Sequence, residues 1–226
     1  EIIKIKEITS VPNVPVYVKG LFTIRNHLLP IIDLRELLGL PSLLSERYDM
    51  IDQAEKKDQE WAENLSHVLE AGAHFRGIMN PKETPFGIWL EAYKTSSIEI
   101  ESIIKRLKKI RWELYNSGAE ALRIRETREQ EAIARFDETA PPLLKVLADL
   151  IAEFKIALKG HILEDQRALV VKTDLMTVGY LVDWVDEVIR IPQSVIDETP
   201  AMASSDRKEI KAVDRKSTRL NSSHYS

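Results

Sequence analysis

The chain contains no cysteine, which excludes disulfides, thiolate zinc sites, iron–sulfur clusters and cysteine nucleophiles. Positive charge is not in excess either. The 32 Lys and Arg against 36 Asp and Glu leave a formal net charge of −4, without the basic footprint of a nucleic-acid binder. No apolar run approaches the roughly 18 residues of a transmembrane helix, and no signal-peptide pattern opens the chain. These absences predict a cytoplasmic protein with no nucleic-acid partner and no direct membrane insertion. Enzyme signatures are missing too: there is no P-loop, GxGxxG, HExxH or nucleophile elbow. His27, His67, His74, His161 and His224 are scattered, none placed with a carboxylate at a motif spacing. No catalytic residue, metal or cofactor is assigned, and the chain is expected not to be an enzyme.

What is present describes a globular protein, with 44% hydrophobic and 30% charged residues over a length of 226 that suits one large domain or two small ones. Strand-like alternation opens the chain from Glu1 to Ile8, and Pro12, Asn13 and Pro15 interrupt it. The stretch Gly20 to Pro41 then alternates through Leu21, Thr23 and Arg25, reverses at Asn26-His27 and returns through Leu28 to Ile32, predicting a hairpin. Asp33 follows where a short helix begins, and its bland role is that helix's N-cap.

From Ile51 the period changes. Ile51, Ala54, Asp58, Trp61, Leu65, Val68, Gly72 and Phe75 recur at spacings of three and four, which predicts a long helix. A break at Asn80-Pro81 and a short segment from Thr84 to Tyr93 precede two further seams. One runs through Ile100, Ile104, Leu107, Arg111, Leu114, Gly118 and Ala121; the other from Phe136 through Ala140, Leu144, Leu147, Ile151 and Phe154 to Leu158. Pro141-Pro142 predict a break or bend near Thr139. Three long helices and one short one make a helical bundle. Strand periodicity returns at Ala168–Lys172, Thr177–Val182 and Glu187–Ile191, and Lys211, Ala212 and Val213 begin another strand.

Asp58 and Arg111 are the oddity of this pattern. Each is a charged residue on an otherwise apolar seam, a position that is tolerable when opposite charges face one another across the bundle. Removing one partner of such a buried pair costs roughly 3–5 kcal/mol.

Gly20, Arg25, Pro30, Asp33, Leu34 and Arg35 fall in the register of the bacterial chemotaxis coupling protein CheW and of CheW-like domains, which this part of the chain resembles. Glu1-Ile2, nineteen residues before Gly20, match a Glu-Ile pair of that family, and Val182, Asp183, Val185 and Val188 match a later Val-Asp run. Asn26 departs from the family's glycine, a change that a residue tolerant of positive φ accommodates.

The central segment resembles the chemoreceptor zinc-binding (CZB) domain, a four-helix bundle that holds zinc through three histidines and a cysteine. Asp58 stands three before Trp61 at the first ligand position, Thr84 replaces the cysteine within Asn80 to Trp89, and Arg111 and Tyr115 stand at the last two. The resemblance therefore implies a bundle without its zinc, its centre filled by an Asp58–Arg111 pair with Tyr115 hydrogen-bonded.

Together the resemblances imply an α+β fold. A CheW-like double β-barrel of SH3-like subdomains, truncated at both ends, is interrupted by an inserted four-helix-type bundle. The expected organisation is residues 1–43 and 166–213 for the two CheW-like halves and 44–165 for the insertion. Residues 214–226, which contain DRKSTRLNSSH from Asp214 to His224, read as the translation of a sequencing-library adapter. The implied function is a non-catalytic scaffold that couples methyl-accepting chemoreceptors to the histidine kinase CheA, possible recruitment to membrane receptor arrays included. Arg25, Glu1 and Ile2 are the partner-binding candidates. A ligand- or metal-responsive sensor acting through the insertion is the alternative.

Overall fold

Strand propensity and turn chemistry build the first sheet from local pieces. Strand β1 (Ile2–Lys4), β2 (Val18–Ile24) and β3 (His27–Asp33) come from the first part of the chain, β4 (Arg167–Lys172) and β5 (Thr177–Val182) from much later. Their order is β1-β4-β5-β3-β2, so the two halves interleave in one five-stranded sheet. The structure is a computed structural model and describes residues 1–5, 7–190, 192, 196–198 and 212–214. It divides into two units, Glu1–Trp184 and Val185–Ser226. In the second unit β6 (Ile196–Glu198) pairs antiparallel with β7 (Ala212–Asp214).

The β2–β3 hairpin turns one residue earlier than the alternation suggests. Ile24 pairs with His27, leaving Arg25 and Asn26 as the two loop residues, with φ of 47° and 65°. Positive φ at both central positions is the type I′ geometry, whose twist matches that of the flanking strands. Pro30 sits in β3 just outside the stretch Ile31–Asp33 that pairs with β5, where a missing N–H is tolerable.

The sheet curls on itself. Beyond β1 the chain meets β2 again at Thr9, whose N–H and C=O exchange 2.8 Å bonds with Leu21. Gly20 makes this approach possible: its φ is +138°, and a Cβ there would lie 2.1 Å from the Thr9 carbonyl oxygen. Inside the curl, Ile5, Leu29, Ile31, Ala168 and Leu181 form a small apolar core.

Asp33 ends β3 and caps α1 (Leu34–Leu37), its carboxylate accepting from the Glu36 N–H at 3.1 Å. Three long helices and a shorter one then intervene before β4: α2 (Leu43–Glu70), α3 (Pro85–Ala92), α4 (Ile98–Arg125) and α5 (Glu129–Asp165). The apolar seams expected from the sequence line their shared core, with Leu65, Leu107, Leu114, Phe154 and Leu158 fully buried.

Four expectations need correction. Of the expected opening strand Glu1–Ile8, only Ile2–Lys4 form β1 among the described residues, which do not include Lys6, because the chain must leave β4 to reach β2 at Thr9. The first helical seam stops at Glu70 instead of running to Phe75. Gly72, at φ 63°, lets the Ala73 N–H reach back to the Val68 carbonyl at 3.2 Å, the glycine-terminated Schellman ending. Pro141 and Pro142 do not break the third seam, since α5 runs unbroken through both. Packing of Phe136 and Ala140 on one side and Leu147 and Ile151 on the other into one core holds the prolines in helical geometry. Finally, Glu187–Arg190 is not a strand, for it finds no pairing partner among the described residues, and Ile191 lies outside them. Residues 215–226 and Lys211 also lie outside the described residues.

Candidate functional site

The four positions singled out in the helical segment converge. Asp58 comes from the middle of α2, Arg111 and Tyr115 from adjacent turns of α4, and Thr84 is the N-cap of α3. The Arg111 guanidinium donates from Nε to Asp58 Oδ2 at 2.7 Å and from Nη2 to Asp58 Oδ1 at 2.9 Å, a two-point fork. Nη2 also donates to Thr84 Oγ1 at 2.9 Å and Nη1 to the Pro81 carbonyl at 3.3 Å. Tyr115 donates its hydroxyl to Asp58 Oδ1 at 2.8 Å. The Asp58 and Arg111 side chains are 2% and 3% exposed, and no buried side-chain N or O among the described residues lacks a partner.

Each partner is placed by local structure. Thr84 Oγ1 accepts from the Gly87 N–H at 3.0 Å and donates to Pro81 O at 2.8 Å, which fixes the Pro81–Glu83 turn against α3. Gly87 is required at that contact, because its Cβ would lie 1.9 Å from Pro81 O. Gly118 plays the corresponding part between α2 and α4, where a Cβ would meet Leu65 at 2.4 Å and Trp61 at 2.7 Å. Trp61 stacks on Tyr115 with centroids 4.1 Å apart, and the guanidinium lies 5.3 Å from the Phe86 ring centroid.

Electrostatics hold Arg111 charged and Tyr115 neutral. Burial opposes the charge on Arg111, but the hydrogen bonds and negative charge of Asp58 outweigh it and raise its pKa above the ordinary value. Burial, reinforced by the Asp58 charge, pushes the Tyr115 phenol well above its ordinary value, so it stays a donor.

This donor set does not fit zinc. Zinc takes imidazole, thiolate or carboxylate ligands, whereas here one carboxylate is already engaged by a cation that fills the centre. Among the described residues no group of three or more His, Cys, Asp or Glu is disposed to hold a metal. The chemistry available is that of an internal cross-link: three helical segments joined by one charged, fully satisfied cluster.

The cluster forms the floor of a cleft of about 720 Å³. Trp61, Phe75 and Phe86 wall it, and Trp61 Nε1 donates to the Ile78 carbonyl at 2.8 Å, tying down the segment after α2. The seam pattern includes Trp61 and Phe75 but gives no sign that the chain between Gly72 and Asn80 folds back to make a wall.

The expected partner-binding residues lie on the sheet. Arg25 occupies the hairpin tip with its side chain 81% exposed, 3.5 Å from Glu1 Oε1. Glu1 is fastened to β4 through its backbone, accepting from the Val170 N–H at 2.7 Å, and Ile2 beside it is exposed. The curl of the sheet thus brings Arg25, Glu1 and Ile2 into one neighbourhood.

Arg35 is a junction whose pairing the sequence alone does not disclose. It donates to Pro41 O at 2.9 Å and to Asp183 Oδ2 at 3.2 Å, and it pairs with Glu46 at the start of α2. One guanidinium therefore joins the early sheet, the first long helix and the end of β5. Both Arg35 and Asp183 belong to the motif registers quoted above, and their opposite charges are the signal that could have paired them.

No curated protein and no solved structure matches the chain. The chain resembles a known family over its opening stretch, from β1 through the hairpin and α1 into the first half of α2: residues 1–59 match the CheW-like domain.

Proposed function

We propose that this chain is a non-catalytic scaffold of bacterial chemotaxis that couples methyl-accepting chemoreceptors to the histidine kinase CheA. The observation that carries the reading is the CheW-like match over residues 1–59, the stretch that contains the hairpin and its exposed Arg25. In this reading residues 1–43 and 166–213 are the halves of a CheW-like double β-barrel. Residues 44–165 are an inserted CZB-like four-helix bundle whose zinc position is taken by the Asp58–Arg111 pair. The bundle then serves as a rigid insert, held without metal.

Arg25 is the leading contact residue, with Glu1 and Ile2 beside it. An interface role is favoured over a turn-holding one because, among the described residues, the side chain reaches only Glu1, across 3.5 Å of exposed surface. Exposed arginines that can be desolvated by a partner are frequent binding anchors.

The test is binding of the chain to the CheA regulatory domain and to a receptor tip, with and without Arg25→Gly. Glycine suits the positive φ of this turn position better than arginine or alanine, so the variant removes the side chain without straining the hairpin. Affinity for one of these partners is expected to fall at least about tenfold, or roughly 1.4 kcal/mol. Absence of binding by a folded protein to either partner would refute the coupling role.

A further inference from the structure

The cleft above the Asp58–Arg111 cluster has a wall built to a fixed shape. Gly77 lacks the Cβ that would otherwise lie 2.4 Å from the Phe75 ring, so the ring folds back over its own loop. There it meets Trp61 edge-on, with centroids 5.9 Å apart. The 2.8 Å bond from Trp61 to Ile78 O pins the far side of the same loop. Three aromatic rings and about 720 Å³ of space fall within the range of sites for small organic molecules.

The charges around this space do not balance. On the floor Asp58 is consumed by Arg111 and Tyr115. At the mouth Lys57 is held by Glu60 at 2.8 Å. Arg76 also lines the cleft, exposed, and makes no ion pair or side-chain hydrogen bond among the described residues. A planar guanidinium with free donors beside an aromatic wall is a carboxylate receptor in geometry and charge.

We propose that the cleft binds an aromatic monocarboxylate, its ring against Trp61, Phe75 and Phe86 and its carboxylate on Arg76. A cationic ligand is disfavoured, because both lining carboxylates, Asp58 and Glu60, already have cationic partners. A neutral aromatic would leave Arg76 unused. The site stands whether or not the chain couples receptors to a kinase.

Calorimetric titration of the full chain with 3-phenylpropionate and 2-naphthylacetate, alongside their neutral amides, tests the assignment. The acids are expected to bind at least about tenfold tighter than the amides. Arg76→Gln should reduce the acids to the level of the amides and leave the amides unchanged. Asn64→Trp, which fills the cleft from an exposed position on α2, should abolish binding of both classes while far-UV circular dichroism stays native. Equal affinity for acid and amide, a preference that survives Arg76→Gln, binding that survives Asn64→Trp, or no binding of either acid up to about 10 mM would each overturn the proposal.

Discussion

Deleting the Asp58 carboxylate strands a guanidinium inside the helices. In Asp58→Ala, Arg111 keeps only Thr84 Oγ1 at 2.9 Å and Pro81 O at 3.3 Å, both neutral acceptors. Breaking a buried pair from one side costs about 3–5 kcal/mol. Asp58 lines the cleft, so its removal admits water to the charge and places the expectation at the lower end, near 3 kcal/mol. With a urea m-value of about 2 kcal/mol/M, the midpoint followed by far-UV circular dichroism should fall by about 1.5 M. Replacing the whole cluster distinguishes lost charge pairing from lost volume. Asp58→Leu with Arg111→Met and Tyr115→Phe removes both charges and the hydroxyl that would lose its acceptor. The triple variant should lie within about 1 kcal/mol of the parent or above it, as apolar replacements of buried pairs do. A midpoint shift under about 0.5 M for Asp58→Ala, or a triple variant less stable than Asp58→Ala, would refute the buried cross-link.

Gly87→Ala should destabilise more than Gly118→Ala. At Gly87 the new methyl meets backbone, Pro81 O at 1.9 Å, whereas at Gly118 it meets side-chain ends, Leu65 at 2.4 Å and Trp61 at 2.7 Å, and no main chain. Overpacking costs about 1–3 kcal/mol, and at Gly118 roughly 1 kcal/mol of helix propensity offsets part of it; a urea series on both variants gives the order. Tyr115 sets an alkaline limit. Its folded pKa is raised above the ordinary 10.0, so its contribution is complete below that value and is lost as pH rises beyond it. The parent should lose about 1.4 kcal/mol per pH unit more than Tyr115→Phe above pH 10, in matched urea melts. Gly20→Ala should open the curled sheet, since the methyl would sit 2.1 Å from Thr9 O; amide exchange at Thr9 and Leu21 should accelerate by at least about tenfold while β4–β5 amides stay protected.

The helices were legible because burial imposes a period. Positions such as Leu65, Leu107, Leu114 and Phe154 must be apolar at spacings of three and four, and the seams mark which face is inside. For the same reason Asp58 and Arg111 stand out: a charge on a buried stripe demands a partner, and the sequence holds one of each sign. Local signals were less decisive where tertiary packing outweighs them. Proline chemistry argues for a break or bend at Pro141-Pro142, yet the core contacts on either side carry α5 through without a break. Alternation put the hairpin reversal one residue late, because period two does not fix which pair closes a turn; the type I′ geometry does.

By itself, then, the sequence determined the long helices, the central strands, their buried faces and the presence of a charged pair, since these follow from local propensity and from the cost of burying the wrong group. Tertiary structure alone decided which distant residues meet. It paired Arg35 with Asp183, 148 positions apart, and brought Arg25 to Glu1 by curling the sheet through the gap that Gly20 leaves. It also folded Phe75 back against Trp61 and set Arg76 beside the same cleft. Contacts of that kind depend on the path of the chain through space, which no periodicity records.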